Sequence, residues 1–238
     1  MQIKTTLLTI TLFFLFASCA SVPKTPRTTA DFNFGWQFQL GESPAADAGW
    51  EDVRLPHDWS ILAGYQREGT AASTGFVPGG IGFYRKDFVL PEADRGKAIW
   101  VEFDGVFCNS KVWINDQLLG FRPNGYSSFS YDLTEHLNYG TTPNRILVKA
   151  AHSAYADTRW YTGSGIYRNV RLVTTASTHI PQWGVRSTTP EVIADEATVV
   201  VRSEVENVVA GTEVKVTLLG PGGAELASQT GIAPAAAP

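Results

Sequence analysis

The run Ala156–Arg168, ADTRWYTGSGIYR, brings a carboxylate (Asp157), a guanidinium (Arg159) and two aromatic rings (Trp160, Tyr161) within five residues. Such a set suits a sugar, whose apolar C–H faces lie against rings while charged groups bind its hydroxyls. The same residues could instead serve the fold, Asp157 and Arg159 pairing with a sheet and Trp160 entering the core. Spacing alone leaves both readings open. In Leu55–Trp59, LPHDW, the adjacent His57 and Asp58 suggest proton transfer. Neighbours on an extended chain point apart, however, and no Gly-x-Ser-x-Gly supplies a nucleophile, so a structural loop is expected. The stretch Gly79–Lys86 has too few glycines in the required order, and no following helix, to cradle a phosphate. The four histidines, at 57, 136, 152 and 179, lack ligand-like spacing, so no metal site is assigned. Cys108 shares alternation with Val106, Val112 and Ile114 and is expected to be a small buried hydrophobe. No catalytic residue is assigned in these 238 residues, and no cofactor is indicated.

These candidates need a scaffold, and its class is legible. With 44% hydrophobic and 18% charged residues the composition is that of a globular protein. A net charge of −4 and the lack of a basic run argue against a nucleic-acid partner. Period-two alternation dominates after residue 30. Phe32, Phe34, Trp36, Phe38 and Leu40 predict one half-buried strand. Further strands are expected at 82–90, 98–103, 111–114, 145–152, 165–173, 197–205 and 212–219. Asn115-Asp116 predicts a hairpin turn, because both residue types tolerate positive φ. No ten-residue stretch carries helical periodicity. The expectation is an all-β chain.

The first nineteen residues read as an address. Lys4 precedes an uncharged run, Thr5–Ser18, too short for the roughly 20 apolar residues of a spanning helix. The ending FASC resembles a lipobox, which implies acylation of Cys19 and a membrane partner through that lipid. The location expected is exported, periplasmic or outer-membrane-anchored, in a bacterium. Residues 20–30 are expected to be an unfolded tether. Density of Trp and Tyr falls near residue 178, and no aromatic follows Trp183. Residues 177–238 offer three or four strands where a sandwich domain needs about seven. They read as an incomplete second domain, after a first domain at 31–176.

RWYTGSGIYRNV, LPHDWS, GGIGFYRKDF, FDGVFCNSKVWIND and GYSSFSYDLTEHL, in this order, resemble the N-terminal region of glycoside hydrolase family 2. The β-galactosidase branch is the nearest in appearance. The resemblance implies a galactose-binding-like jelly roll over about 32–175 and the start of an immunoglobulin-like domain from about 177. It implies retaining hydrolysis by two glutamates, about 5–5.5 Å apart, on a (β/α)₈ barrel that follows these domains. A barrel of roughly 250 residues does not fit beside them in this length, so the barrel is an expected partner within a longer parent chain. The resemblance makes Asp157 the sugar-contacting carboxylate, with Arg159 and Trp160 beside it. Asp157 lies three residues before Trp160, where well-known members have a spacing of two. The loop 69–80 is similar to a second stretch near the sugar, with Ser73 where some members have Asn. The expected partner is a glycan with a terminal β-linked sugar. β-Glucuronidase and β-mannosidase share the architecture, and a non-catalytic carbohydrate-binding module is the reading from another class.

Overall fold

The computed structural model describes residues 27–45, 48–153 and 161–234. The strands of its first part are β1 (Arg27–Asp31), β2 (Trp36–Leu40), β3 (Glu51–Val53), β4 (Gly80–Phe88) and β5 (Ala98–Phe103). They continue as β6 (Ser110–Ile114), β7 (Gln117–Arg122), β8 (Phe129–Asp132), β9 (Asn144–His152) and β10 (Val170–Thr175). One sheet has the order β1-β10-β5-β8, and the other β3-β2-β4-β9-β6-β7. All neighbours within them are antiparallel. Alternate residues of both sheets meet in one apolar core, with Trp36, Tyr84, Val148 and Val112 from one side and Val101, Phe103 and Val170 from the other. This is the sandwich that the alternation predicts. The chain is all-β.

Four further strands, β11 (Val185–Val192), β12 (Ala197–Ser203), β13 (Glu213–Leu219) and β14 (Glu225–Ile232), form two hairpins. Val199, Val201, Val214 and Val216 of these hairpins line a shared open groove. Where the chain passes toward β11, His179 stacks on Trp100 at 5.1 Å, and the Arg27 guanidinium lies 4.9 Å from the same indole.

Three expectations need correction. Residues 27–30, read as tether, belong to β1, which pairs with β10 through its backbone while its side chains face mainly solvent. Composition carries no trace of such a strand. The single strand expected over Phe32–Leu40 is broken by a bend at 34–35, where Gly35 has φ +69°. Phe32 ends on the core from one sheet and Trp36 from the other, while Phe34 and Leu40 are exposed. The strand expected from Gly165 starts at Val170; Gly165 makes only an isolated bridge to Phe107. The Asn115-Asp116 hairpin is present, both residues with positive φ. Cys108 is buried, though outside the main core, with its Sγ 3.6 Å from the Ala151 carbonyl. The leader, Cys19 and residues 20–26 lie outside the described residues.

Candidate functional site

Strands β4 and β9 end together, Gly80 opposite His152, and three loops converge there. The first contains α1 (Trp59–Ala63), one turn of helix whose N-cap is Asp58. The Asp58 Oδ1 accepts from the backbone N–H of Ser60 at 3.0 Å and of Ile61 at 3.5 Å, as an N-cap should. The same oxygen accepts the N–H of Ser164 at 3.0 Å, and Oδ2 accepts the Tyr161 hydroxyl. One carboxylate thus fastens two loops a hundred residues apart in sequence. Gly163, at φ +85°, leaves room for it: a Cβ there would stand 3.1 Å from Oδ2.

Behind this knot lies a second chain of hydrogen bonds. His152 Nδ1 is 2.7 Å from the Ser164 hydroxyl, which meets the Ser60 hydroxyl, which in turn reaches the Pro78 carbonyl. A Ser–His contact of that length could suggest a nucleophile and its base. Both serines are fully buried, so no substrate reaches them, and their partners join the loop containing Pro78 to the other two. His57 likewise turns inward, its Nδ1 2.9 Å from the Tyr84 hydroxyl and its ring on Phe38. Burial lowers the His57 pKa against the smaller opposing pull of Asp58 and Glu51. Burial also raises the Tyr84 and Tyr161 phenols, and for Tyr161 the Asp58 carboxylate adds to the effect. Neutral rings therefore fill this end of the sandwich.

Glycines let the pieces close. A Cβ on Gly82 would come within 2.7 Å of Trp59 and Phe38, and one on Gly79 within 2.2 Å of the His152 carbonyl. The glycines of GGIGF thus serve backbone approach, while the Trp59 indole N–H is buried without a partner among the described residues. The loop 69–80 comes against Tyr161, with the position of a Gly75 Cβ 3.6 Å from that of Tyr161. Ser73 is half-buried in its turn, Ala72–Thr74. Asp157, Arg159 and Trp160 lie outside the described residues. The segment that holds them is bounded by two anchored groups, His152 and Tyr161. As expected, His57 and Asp58 are structural. The sequence reading missed Ser60, Ser164 and Tyr161 as the partners that give these residues their role. No group of three His, Cys, Asp or Glu among the described residues is arranged to hold a metal.

Residues 69–176 match the family described as "Glycosyl hydrolases family 2, sugar binding domain". The chain is 43% identical over 190 residues to the β-galactosidase BoGH2A of Bacteroides ovatus. The chain belongs to glycosyl hydrolases family 2. The Bacteroides ovatus match covers 77% of this chain and 22% of the relative, so this chain spans about a fifth of that family 2 protein's length. A β-glucuronidase of Formosa agariphila is 32% identical over 183 residues, which are 67% of this chain and 18% of the relative. Among solved family 2 folds, a β-glycosidase from Bacteroides vulgatus superposes with a TM-score of 0.78 at 40% identity. That match covers 85% of this chain and 27% of the other. The converging loops around Asp58, Pro78 and Ser164 are therefore part of a family 2 domain.

Proposed function

We propose that these residues are the substrate-side and scaffold portion of a β-galactosidase that removes terminal β-linked galactose. The observation that carries this reading is the 43% identity to the Bacteroides ovatus β-galactosidase, against 35% and 32% to two Formosa agariphila proteins named as β-glucuronidases. The two catalytic glutamates belong to a barrel elsewhere in the parent polypeptide. Asp157, with Arg159 and Trp160, contacts the terminal sugar, and the hold of Asp58 on Tyr161 sets where that segment returns to the sheet. A β-glucuronidase activity is the second reading, favoured by the Formosa relatives.

Two assays test the division of labour. Residues 20–238 alone should give no turnover of a chromogenic galactoside; turnover that survives repurification contradicts the reading. In the parent enzyme, Asp157→Ala removes charge-assisted hydrogen bonds worth about 1.5–3 kcal/mol each. It should lower kcat/KM roughly tenfold to several hundredfold while the melting temperature holds. Unchanged kcat/KM would remove Asp157 from the sugar and shift the contact to Arg159 and Trp160.

The leader carries the protein out of the cytoplasm, and a multiply acylated Cys19 holds it at a membrane, since stable anchoring takes more than one chain. Fractionation of cells expressing wild type and Cys19→Ala tests this. Equal release of both into the soluble fraction contradicts the anchor.

A further inference from the structure

The outer face of the six-stranded sheet carries a registered row of side chains. Gln39 of β2 pairs with Phe83 of β4, Phe83 with Lys149 of β9, Lys149 with Lys111 of β6, and Lys111 with Phe121 of β7. Their sequence neighbours Tyr84, Val148 and Val112 fill the core, so strand alternation turns this row away from it; Phe83 is nevertheless covered, Lys149 is half-buried and Lys111 is exposed. Lys111 and Lys149 stand directly opposite each other. Like charges in that relation are unfavourable. Neither lysine makes an ion pair among the described residues, and Lys149 has only the Phe83 ring, 5.8 Å from its ammonium. The same face neutralises a cation elsewhere: Asp87 holds Arg145 by two hydrogen bonds of 2.6 Å. The lysine doublet also runs against a net charge of −4. Two aromatic rings flank it. Phe121 is 51% exposed, and Trp113 is half-buried on the same outward face.

We propose that this face binds an acidic polysaccharide, Lys111 and Lys149 taking a carboxylate or sulfate together while Phe121 and Trp113 take pyranose faces beside it. An anion between two opposed ammonium groups removes their repulsion, and a flat ring covers the C–H face that water solvates poorly. Phe83 is covered, so the accessible part of the row crosses β9, β6 and β7, about 10 Å at roughly 4.8 Å per strand, which favours a run of linked sugars over a single one.

Affinity electrophoresis of the purified protein tests this, in gels containing polygalacturonate, chondroitin sulfate, neutral galactan or DNA. The wild type should be retarded by at least one acidic polysaccharide and released by salt. The pair Lys111→Gln/Lys149→Gln should weaken that retardation at least tenfold without lowering the melting temperature, because a repulsion is relieved. Phe121→Ala should weaken it while leaving the salt dependence unchanged. Control substitutions of two other cations, Arg186→Gln/Lys215→Gln, should have little effect. The proposal is overturned by no retardation in either acidic polysaccharide, by retardation in galactan alone, or by equal losses in the lysine pair and the control pair. Retardation in DNA that matches the acidic polysaccharides and ignores Phe121→Ala would make the face a general polyanion surface and also overturn it.

Discussion

The Asp58 carboxylate accepts a hydrogen bond from the Tyr161 hydroxyl across 103 residues of sequence, while its other oxygen caps α1 and holds the Ser164 N–H. A single side chain thereby joins the loop after β3 to the loop before β10.

Removing that carboxylate should cost both a helix cap and hydrogen bonds to a charged group. Asp58→Ala is expected to lower stability by about 2.5–4 kcal/mol, from a cap of roughly 1 kcal/mol and the Ser164 bond of about 1.5–3 kcal/mol, the solvent-exposed Tyr161 bond adding little. Asp58→Asn keeps an acceptor at the cap and should lose less. Urea unfolding of the three proteins checks the order; equal midpoints for wild type and Asp58→Ala would contradict the knot.

Stability should fall on both sides of neutrality for identifiable reasons. The Tyr161 phenol is raised by burial and by Asp58, so its contribution is complete below about pH 10 and is lost as pH climbs toward the raised folded value. Tyr161→Phe should flatten that alkaline loss, with Tyr84 supplying part of what remains. The His57 imidazole is lowered by burial, so its contribution is complete above about pH 6.5 and is lost as pH falls toward the lowered value. His57→Gln should remove this acid slope, which precedes the loss from the Asp87–Arg145 pair below about pH 4. Melting temperatures from pH 4 to 11 separate the two; identical profiles for wild type and variants would contradict both assignments.

Gly165 sits at φ +109° with the Tyr84 hydroxyl 2.1 Å and the His57 carbonyl 3.0 Å from where a Cβ would stand. Gly165→Ala must move packed groups as well as the backbone, at an expected cost of about 3 kcal/mol or more. Gly96→Ala is a control for positive φ alone, with open space around its Cβ position. Equal unfolding midpoints for the two variants would contradict the tight fit at Gly165.

What the sequence revealed follows from what each residue touches. Ala98–Phe103 was legible to the residue because nearly the whole strand is buried between turns. β1 was not, because an edge strand held by backbone bonds leaves its polar side chains in solvent. His57 and Asp58 were legible as structural, since neighbours in an extended loop diverge. Their partners were hidden, since Ser164 and Tyr161 reach Asp58 only after the sandwich closes. The exposed Phe34 shows the same limit from the other side: its alternation is perfect, and a bend at Gly35 turns it out of the core.

The measurement that tests the functional account most directly is kcat/KM of the parent enzyme on p-nitrophenyl β-D-galactopyranoside and p-nitrophenyl β-D-glucuronide. The two sugars differ at C6, a neutral hydroxymethyl in one and a carboxylate in the other, and at C4, where the hydroxyl is axial in the galactoside and equatorial in the glucuronide. A pocket that must bury an unpaired carboxylate discriminates by several kcal/mol, so the galactoside should be preferred by at least about a hundredfold. A preference for the glucuronide would contradict the β-galactosidase reading and leave the family 2 fold to serve the other sugar.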